Sequence, residues 1–350
     1  MSLREIELSC PTGRSRVLVG DCLPMLRELA DPATCLVVSD SKAREALGSS
    51  LAGYRVLEIG EGESAKSLAT IEAVYRALLE AEADRGWTLV GAGGGVVCDI
   101  AGFAAATYMR GIGCGFVPTT LLAQLDASVG GKNGVNVGGY KNIAGVFRQP
   151  DFVLCDPAPL SRLGERDFRA GFAEAVKHAV IASESYFAYL EKEHESALAR
   201  DRATLANIVR QSVEIKASVV AGDERESGPR AKLNLGHTVG HGLEAILGLR
   251  HGEAVSIGMR AACDFSADLG VMSEADAARV AMLLGRLGLP TELDGAAPTG
   301  SAQRVIDAIR RDKKRDGDTI KFALPERIGS VRVERVGIER VSRLVEGLFA

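Results

Sequence analysis

WTLVGAGGGVVCDIAG, residues 87–102, decides the fold class. WTLV reads as a short strand. Glycines 91, 93, 94 and 95 then punctuate the chain, and an apolar run of helical period follows from Val96. Strand, glycine turn and helix in that order open a βαβ unit. Glycines at such a turn let backbone N–H groups approach a phosphate at the helix N-terminus. The spacing is not a strict G-x-G-x-x-G, so on this stretch alone a plain tight turn explains the glycines equally well.

The same alternation fills the first 155 residues. RVLV, CLVV, YRVLEI, GCGFVP and DFVL are further short runs of strand type, and amphipathic stretches such as SLATIEAVYRALLEAEA (67–83) separate them. Parallel strands covered by helices are expected. After Pro159 strand signals nearly vanish, and helical periods dominate from Arg169 to Leu289. TIKFALP and GSVRVERV form a hairpin pattern ahead of a final helix. The expected fold is α/β plus α: a Rossmann-like α/β domain with a parallel sheet over residues 1–158, and a mostly helical domain over 159–350, with a cleft between them.

At 350 residues the chain is long enough for two cores. Its 42 Lys and Arg against 46 Asp and Glu leave a net charge of −4, which gives no reason to expect nucleic acid or an anionic membrane as partner. MSLREIELSC carries charges where a signal peptide needs an apolar core, and no run reaches transmembrane length. Seven scattered cysteines, odd in number and without a C-x-x-C pair, fit reduced thiols and a cytoplasmic protein.

Three further segments carry groups that a core does not need. TTLLAQLDASVGGKNGVNVGGYKN (119–142) gathers Asp126, Lys132, Asn136, Lys141 and Asn142 on glycine-rich backbone. That suits a pocket for an anionic, hydroxylated ligand, with a polar surface loop as the alternative. RAGFAEAVKHAVI (169–181) spaces Glu174, Lys177 and His178 as i, i+3 and i+4. Such a Glu–Lys pair is ordinarily solvated, but the flanking Ala, Phe, Val and Ile point to a buried carboxylate that needs a partner. LNLGHTVGHGLEAILGLRHGEA (233–254) holds three of the chain's five histidines. His237 and His241 stand i, i+4 on one helix face, and His251 follows a glycine-containing break. Any one of them alone reads as a hydrogen-bonded core histidine. Clustered, with Glu174 and no cysteine near, they fit an open site for zinc or a similar divalent ion. Asp40, ending CLVVSD, is either a helix-cap aspartate or a carboxylate for ribose hydroxyls.

With GAGGGVVCDIAGF, ATYMRGI, TTLLAQLDASVGGKNGVN, AGFAEAVKH and LNLGHTVGHGLE…HGEAVSIGM in this fixed order, the chain resembles the 3-dehydroquinate synthase family of sugar-phosphate cyclases, from Asp40 to the DKK at 312–314. The resemblance implies an NAD-binding α/β domain joined to a helical metal-binding domain, as a homodimer. It implies Glu174, His237 and His251 as ligands of a divalent metal, zinc first and cobalt as the alternative. Asp40, Lys42, Glu63, Lys66, Gly94, Gly95, Val96, Asp99, Thr119, Thr120 and Lys141 would line NAD, and Asp126 and Lys132 would serve cofactor and substrate alike. Asn142, Lys177, Lys216, Arg230, Asn234, His241 and the Lys313–Lys314 pair would complete the substrate's surroundings. Arg110 of YMRG would reach the partner subunit's site.

The implied reaction takes 3-deoxy-D-arabino-heptulosonate 7-phosphate to 3-dehydroquinate and phosphate. Oxidation at C5 by bound NAD⁺, elimination of phosphate, return of the hydride, ring opening and an aldol closure would follow in turn, with NAD as a catalyst. Arg230 and Asn234, four apart in RAKLN, would meet the substrate carboxylate; an ion pair of Arg230 with Glu224 or Glu226 is the structural alternative. Cys98, Lys42, Asn133 and VNVGGYKN depart from the family pattern, and Val137 and Tyr140 change the wall beside Asn142. A cyclase acting on an uncarboxylated or amino analogue is the nearest rival activity. A polyol dehydrogenase of the glycerol dehydrogenase type shares the two-domain plan but would need neither Arg230 nor so many lysines. The presence of Glu174, Lys177 and the three histidines opposes a non-catalytic metal-binding relative.

Overall fold

The computed structural model describes residues 3–226, 228–293, 298–310 and 315–350. By its contacts the chain forms two units, Met1–Gly164 with Arg200–Arg225, and Glu165–Ala199 with Glu226–Ala350.

The first unit is built on a seven-stranded sheet of β1 (Arg4–Cys10), β2 (Gly13–Val19), β3 (Cys35–Ser39), β4 (Arg55–Glu58), β5 (Thr88–Gly93), β6 (Gly113–Pro118) and β9 (Phe152–Cys155). Their order across the sheet is β1-β2-β9-β6-β5-β3-β4. β1 and β2 pair antiparallel, and the other pairings are parallel. Helices α1 (Leu26–Leu29), α2 (Ser41–Leu47), α3 (Leu68–Glu80) and α4 (Gly95–Thr107) lie in the connections. All five residues of β3 are buried, which matches the unbroken CLVV run: a strand covered on both faces needs no alternation. α4 packs so close to the sheet that a Cβ on Gly91 would stand 2.8 Å from Ala101 Cβ.

The glycine-rich part of 119–142 is a hairpin rather than a loop. β7 (Lys132–Val137) and β8 (Tyr140–Phe147) pair antiparallel, with Val137 opposite Tyr140. Gly138 and Gly139 take φ of 59° and 82°, the left-handed pair that a two-residue turn requires.

The chain passes between units at 164/165, 199/200 and 225/226 instead of once at 158/159. The reason is the helix α7 (Arg202–Gly222), which belongs to the first unit and packs on β1. It buries Leu205, Ile208, Val209 and Val213. Helical period reveals that such a stripe is covered, but not which part of the chain covers it.

The second unit holds α5 (Glu165–Ala182), α6 (Glu184–Leu198), α8 (His237–Leu247), α9 (His251–Asp268), α10 (Glu274–Arg286), α11 (Ser301–Arg310) and α12 (Ile338–Leu348). The expected hairpin is present as β11 (Thr319–Arg327) and β12 (Ser330–Gly337), with β10 (Arg315–Asp316) beside β11. No described helix is long and apolar enough to cross a membrane.

Glycines set how near α8 and α9 approach. Gly236, the N-cap of α8, has φ 78°, and a Cβ there would lie 2.7 Å from the Val255 carbonyl oxygen. A Cβ on Gly240 would lie 2.9 Å from the Ala254 carbonyl oxygen. Gly236→Ala combines a left-handed backbone with an overpacked contact and should cost on the order of 2–4 kcal/mol. Thermal and urea melts of the variant check this, and a melt that matches the parent would refute the close-packing account.

Candidate functional site

α5 carries a carboxylate into an apolar interior. Glu174 is 0% exposed, and Phe172, Ala173, Ala175 and Val176 around it are buried too. Lys177, one turn on and also buried, forms an ion pair with it. Removing both charges from water costs more than their attraction returns unless further polar groups join them.

α8 and α9 supply those groups. His237 Nε2 lies 3.6 Å from Glu174 Oε1, and His251 Nε2 lies 3.5 Å from the same oxygen. Each ring is oriented through its other nitrogen. His237 Nδ1 sits 3.0 Å from the Leu235 carbonyl oxygen, and His251 Nδ1 sits 3.1 Å from Glu244 Oε2. A carbonyl and a carboxylate can only accept, so Nδ1 donates in both rings and Nε2 faces Glu174. One atom each from Glu174, His237 and His251 lie within 4.8 Å of one another. An ion at about 2.0–2.2 Å from nitrogen and oxygen ligands fits that spacing. Two imidazoles and one carboxylate suit zinc, and cobalt accepts the same set. His241 is exposed, with its ring centroid 5.1 Å from that of His237 and 6.1 Å from that of His251, beside the triad.

Burial, then the Lys177 charge, hold the His237 imidazole well below its usual range and keep it neutral. Burial pulls His251 the same way, but its hydrogen bonds to Glu174 and Glu244 prevail and lift it to about 9. Without metal, His251 is therefore protonated at neutral pH, and its Nε2 proton stands on the side where an ion would bind.

Arg230 is 3% exposed, on the turn Pro229–Asn234 that leads into α8. Asn234 donates its side-chain amide to Glu226. Lys313 and Lys314 lie outside the described residues.

In the first unit, β3 and β5 are adjacent parallel strands, and their connections run opposite ways, β3 on to β4 and β5 through α4 to β6. Such a switch point is where open parallel sheets take ligands, beyond the carboxyl ends of the strands. The glycine turn stands there. A Cβ on Gly94 would come 3.3 Å from Thr120, and one on Gly95 would come 3.0 Å from Ala127. The first helical bond of α4 runs from Cys98 N–H to the Gly94 carbonyl, 3.1 Å, so the N–H groups of Gly95, Val96 and Val97 precede the ladder. Thr119 donates its N–H to the Gly93 carbonyl at 2.9 Å. Asp40, at the end of β3, caps α2 by accepting from Ala43 N–H at 2.8 Å, and exposed Lys42 pairs with Glu61 at 2.6 Å.

Lys66 and Asp99 form an ion pair, and burial pushes the Asp99 carboxyl up to about 6 against the pull of Lys66. The hairpin is tied to this segment. Asn136 donates to Glu63 Oε1 at 2.7 Å, and Asn142 N–H donates to Asn136 Oδ1 at 2.8 Å. Asp126 lies in a π-helical turn, Ala123–Ala127, with its Oδ1 2.8 Å from Lys216 Nζ of α7. Lys132, Lys141 and Asn142 are exposed on β7 and β8, and Arg110 is exposed just beyond α4 with φ 68°.

Asn133 serves packing: it is buried and donates to the Gly131 and Arg148 carbonyls at 3.1 and 2.9 Å. Cys98 is also buried. Two groups that set the histidine rings, Glu244 and the Leu235 carbonyl, were not anticipated. Glu244 carries a signal in LNLGHTVGHGLE, two helical turns beyond His237 on a similar face, but a carbonyl has no sequence signature.

Family models described as 3-dehydroquinate synthase N-terminal and C-terminal match residues 56–170 and 171–315. The 3-dehydroquinate synthase of Citrifermentans bemidjiense is 43% identical over 323 residues, 89% of this chain and 88% of that protein. That of Pyrobaculum aerophilum is 42% identical over 335 residues, 95% and 94% of the two chains. Among solved structures, 2-epi-5-epi-valiolone synthase from Streptomyces hygroscopicus, with NAD+ and Zn2+ bound, superposes at a TM-score of 0.84 and 27% identity, covering 99% and 98%. 2-Deoxy-scyllo-inosose synthase, complexed with carbaglucose-6-phosphate, NAD+ and Co2+, reaches 0.89 at 23% identity over 98% and 100%, a likeness of fold. A probable glycerol dehydrogenase from Sinorhizobium meliloti reaches 0.63 at 19% over 95% of each chain.

Alanine at His237 or His251 should abolish stoichiometric binding of the divalent ion in a folded protein, whereas His241→Ala should keep it; metal analysis of the three variants decides. Because His251 of the metal-free site is protonated up to about pH 9, an ion must displace that proton. Cobalt affinity should therefore climb about tenfold per pH unit towards that value, with about one proton released per ion. Calorimetry in buffers of different ionisation enthalpy measures the proton, and a pH-independent affinity would contradict it.

Proposed function

The chain belongs to the 3-dehydroquinate synthase family. We infer from that premise that it is a phosphate-eliminating cyclase, a carbon–oxygen lyase that converts 3-deoxy-D-arabino-heptulosonate 7-phosphate into 3-dehydroquinate and phosphate with NAD and a divalent metal. The reading rests on a match to curated enzymes that spans nearly the whole of both chains, and the convergence of Glu174, His237 and His251 supports it. It makes the chain a biosynthetic enzyme whose substrate is a small sugar phosphate.

When bound, the metal would supply Lewis acidity for a substrate hydroxyl, and NAD⁺ would supply reversible hydride chemistry. In this reading Glu174, His237 and His251 hold the metal, and His237 is poised for that by its neutral ring. The N–H groups of Gly95 and Val96 meet the dinucleotide phosphates, with Asp40, Lys66 and Asp99 nearby in the same unit. Lys216 fixes the Asp126 carboxylate, which then orients hydroxyls of the substrate. Arg230 offers its planar fork to the substrate carboxylate, and Asn234, steadied by Glu226, adds an amide. His241, exposed beside the triad, meets phosphate or carries a proton, and Lys132, Asn142, Lys177 and the Lys313–Lys314 pair serve the remaining oxygens. The same reading includes a homodimer, with Arg110 serving the partner's site, and sedimentation analysis tests the dimer.

Incubation with the heptulosonate phosphate and catalytic NAD⁺ should release phosphate and dehydroquinate in equal amounts, with no net growth of near-ultraviolet NADH absorbance. Stoichiometric NADH would instead indicate a dehydrogenase. Arg230→Met should lose about 2–5 kcal/mol of transition-state binding, roughly 30-fold to several-thousand-fold in kcat/KM, while metal and NAD bind as before. A variant within a few-fold of the parent, or a parent that prefers sedoheptulose 7-phosphate, would overturn the carboxylate assignment.

A further inference from the structure

Glu244 lies on α8 beyond His237 and His241, and its Oε2 is 3.1 Å from Nδ1 of His251, the first residue of α9. Its side chain is 19% exposed, so the contact is partly shielded from water. His237 is held differently, by the Leu235 carbonyl 3.0 Å from its own Nδ1, a bond within one stretch of backbone. His251 has its carboxylate from a neighbouring helix.

We propose that Glu244 is a positioning residue for the metal centre: its carboxylate fixes the tautomer and the rotation of the His251 ring so that Nε2 is presented as a ligand beside Glu174. The proposal rests on the metal reading of Glu174, His237 and His251. A carboxylate cannot donate to Nδ1, so that nitrogen keeps its proton, and Nε2 is the one that gives its proton up and turns its lone pair to an ion. A negative acceptor also draws positive charge onto the imidazole and makes Nε2 a stronger donor atom than a carbonyl partner would. Without it the ring is free to turn about its side-chain bonds or to place its proton on Nε2, and either change removes the third ligand. The bridge also links α8 to α9, so one contact sets a ligand of α9 from the helix that carries the other histidine.

The test uses the full chain stripped of metal and titrated with Co²⁺. E244A should weaken Co²⁺ binding about 10- to 100-fold and shift the visible absorption bands of the bound ion. E244Q keeps the size and an acceptor oxygen but loses the charge, and it should fall between parent and E244A. The metal-free E244Q protein should still unfold in one cooperative melt, which separates positioning from loss of the fold. Parent-like Co²⁺ affinity and spectrum in E244A would overturn the proposal. Failure of the underlying metal reading looks different: H237A and H251A would then bind Co²⁺ as the parent does, whatever happens at Glu244.

Discussion

A carboxylate with no exposed surface, placed in the middle of an apolar helix, is the constraint on which the second unit depends. Glu174 cannot be charged there without company. Lys177 answers part of the charge from the same helix, and two imidazoles converge on the rest from α8 and α9. The small residues between these helices follow from that requirement. Gly236 and Gly240 let the backbones of α8 and α9 approach, and Gly252 lies hard against the backbone of Ala170 on α5. The site is tight because its helices are bare where they cross.

The first unit meets a similar need for closeness at a different place. Its glycines are divided between two duties. Gly91 lets α4 lie on the strand, and Gly94 and Gly95 keep the entrance to that helix free of side chains. Asp40 caps its own helix, which leaves it at the same strand end where a ribose carboxylate is expected. Capping and ribose binding are compatible at this residue, since the cap uses Oδ1 alone.

The chemistry accounts for a composition that looks contradictory at first. The chain is acidic overall, yet lysines and Arg230 concentrate in its motifs. In the proposed reading a substrate with both a phosphate and a carboxylate calls for that concentration, and a plain polyol does not. A redox cofactor that ends each turnover as it began also asks for a site that keeps the nicotinamide in place between two hydride transfers. That is a different demand from that of a dehydrogenase with a similar fold, which must release its reduced cofactor.

Sequence alone determined the elements whose signals are local. The runs CLVV, WTLV and GCGFVP became strands because a buried parallel strand is apolar throughout, and TIKFALP with GSVRVERV became a hairpin. The clustering of His237, His241 and His251, and the apolar setting of Glu174, were equally local and marked the candidate metal site. Tertiary structure alone decided what rests on partners that no sequence pattern names. α7 joined the first unit because an amphipathic stripe does not name the surface that covers it. VNVGGYK paired with itself because two glycines supplied the left-handed turn, and Asn133 was committed to carbonyls that no pattern announces. The rings of His237 and His251 took their orientation from a carbonyl and a carboxylate, and only the folded chain brings those acceptors to the nitrogen that each ring must protonate.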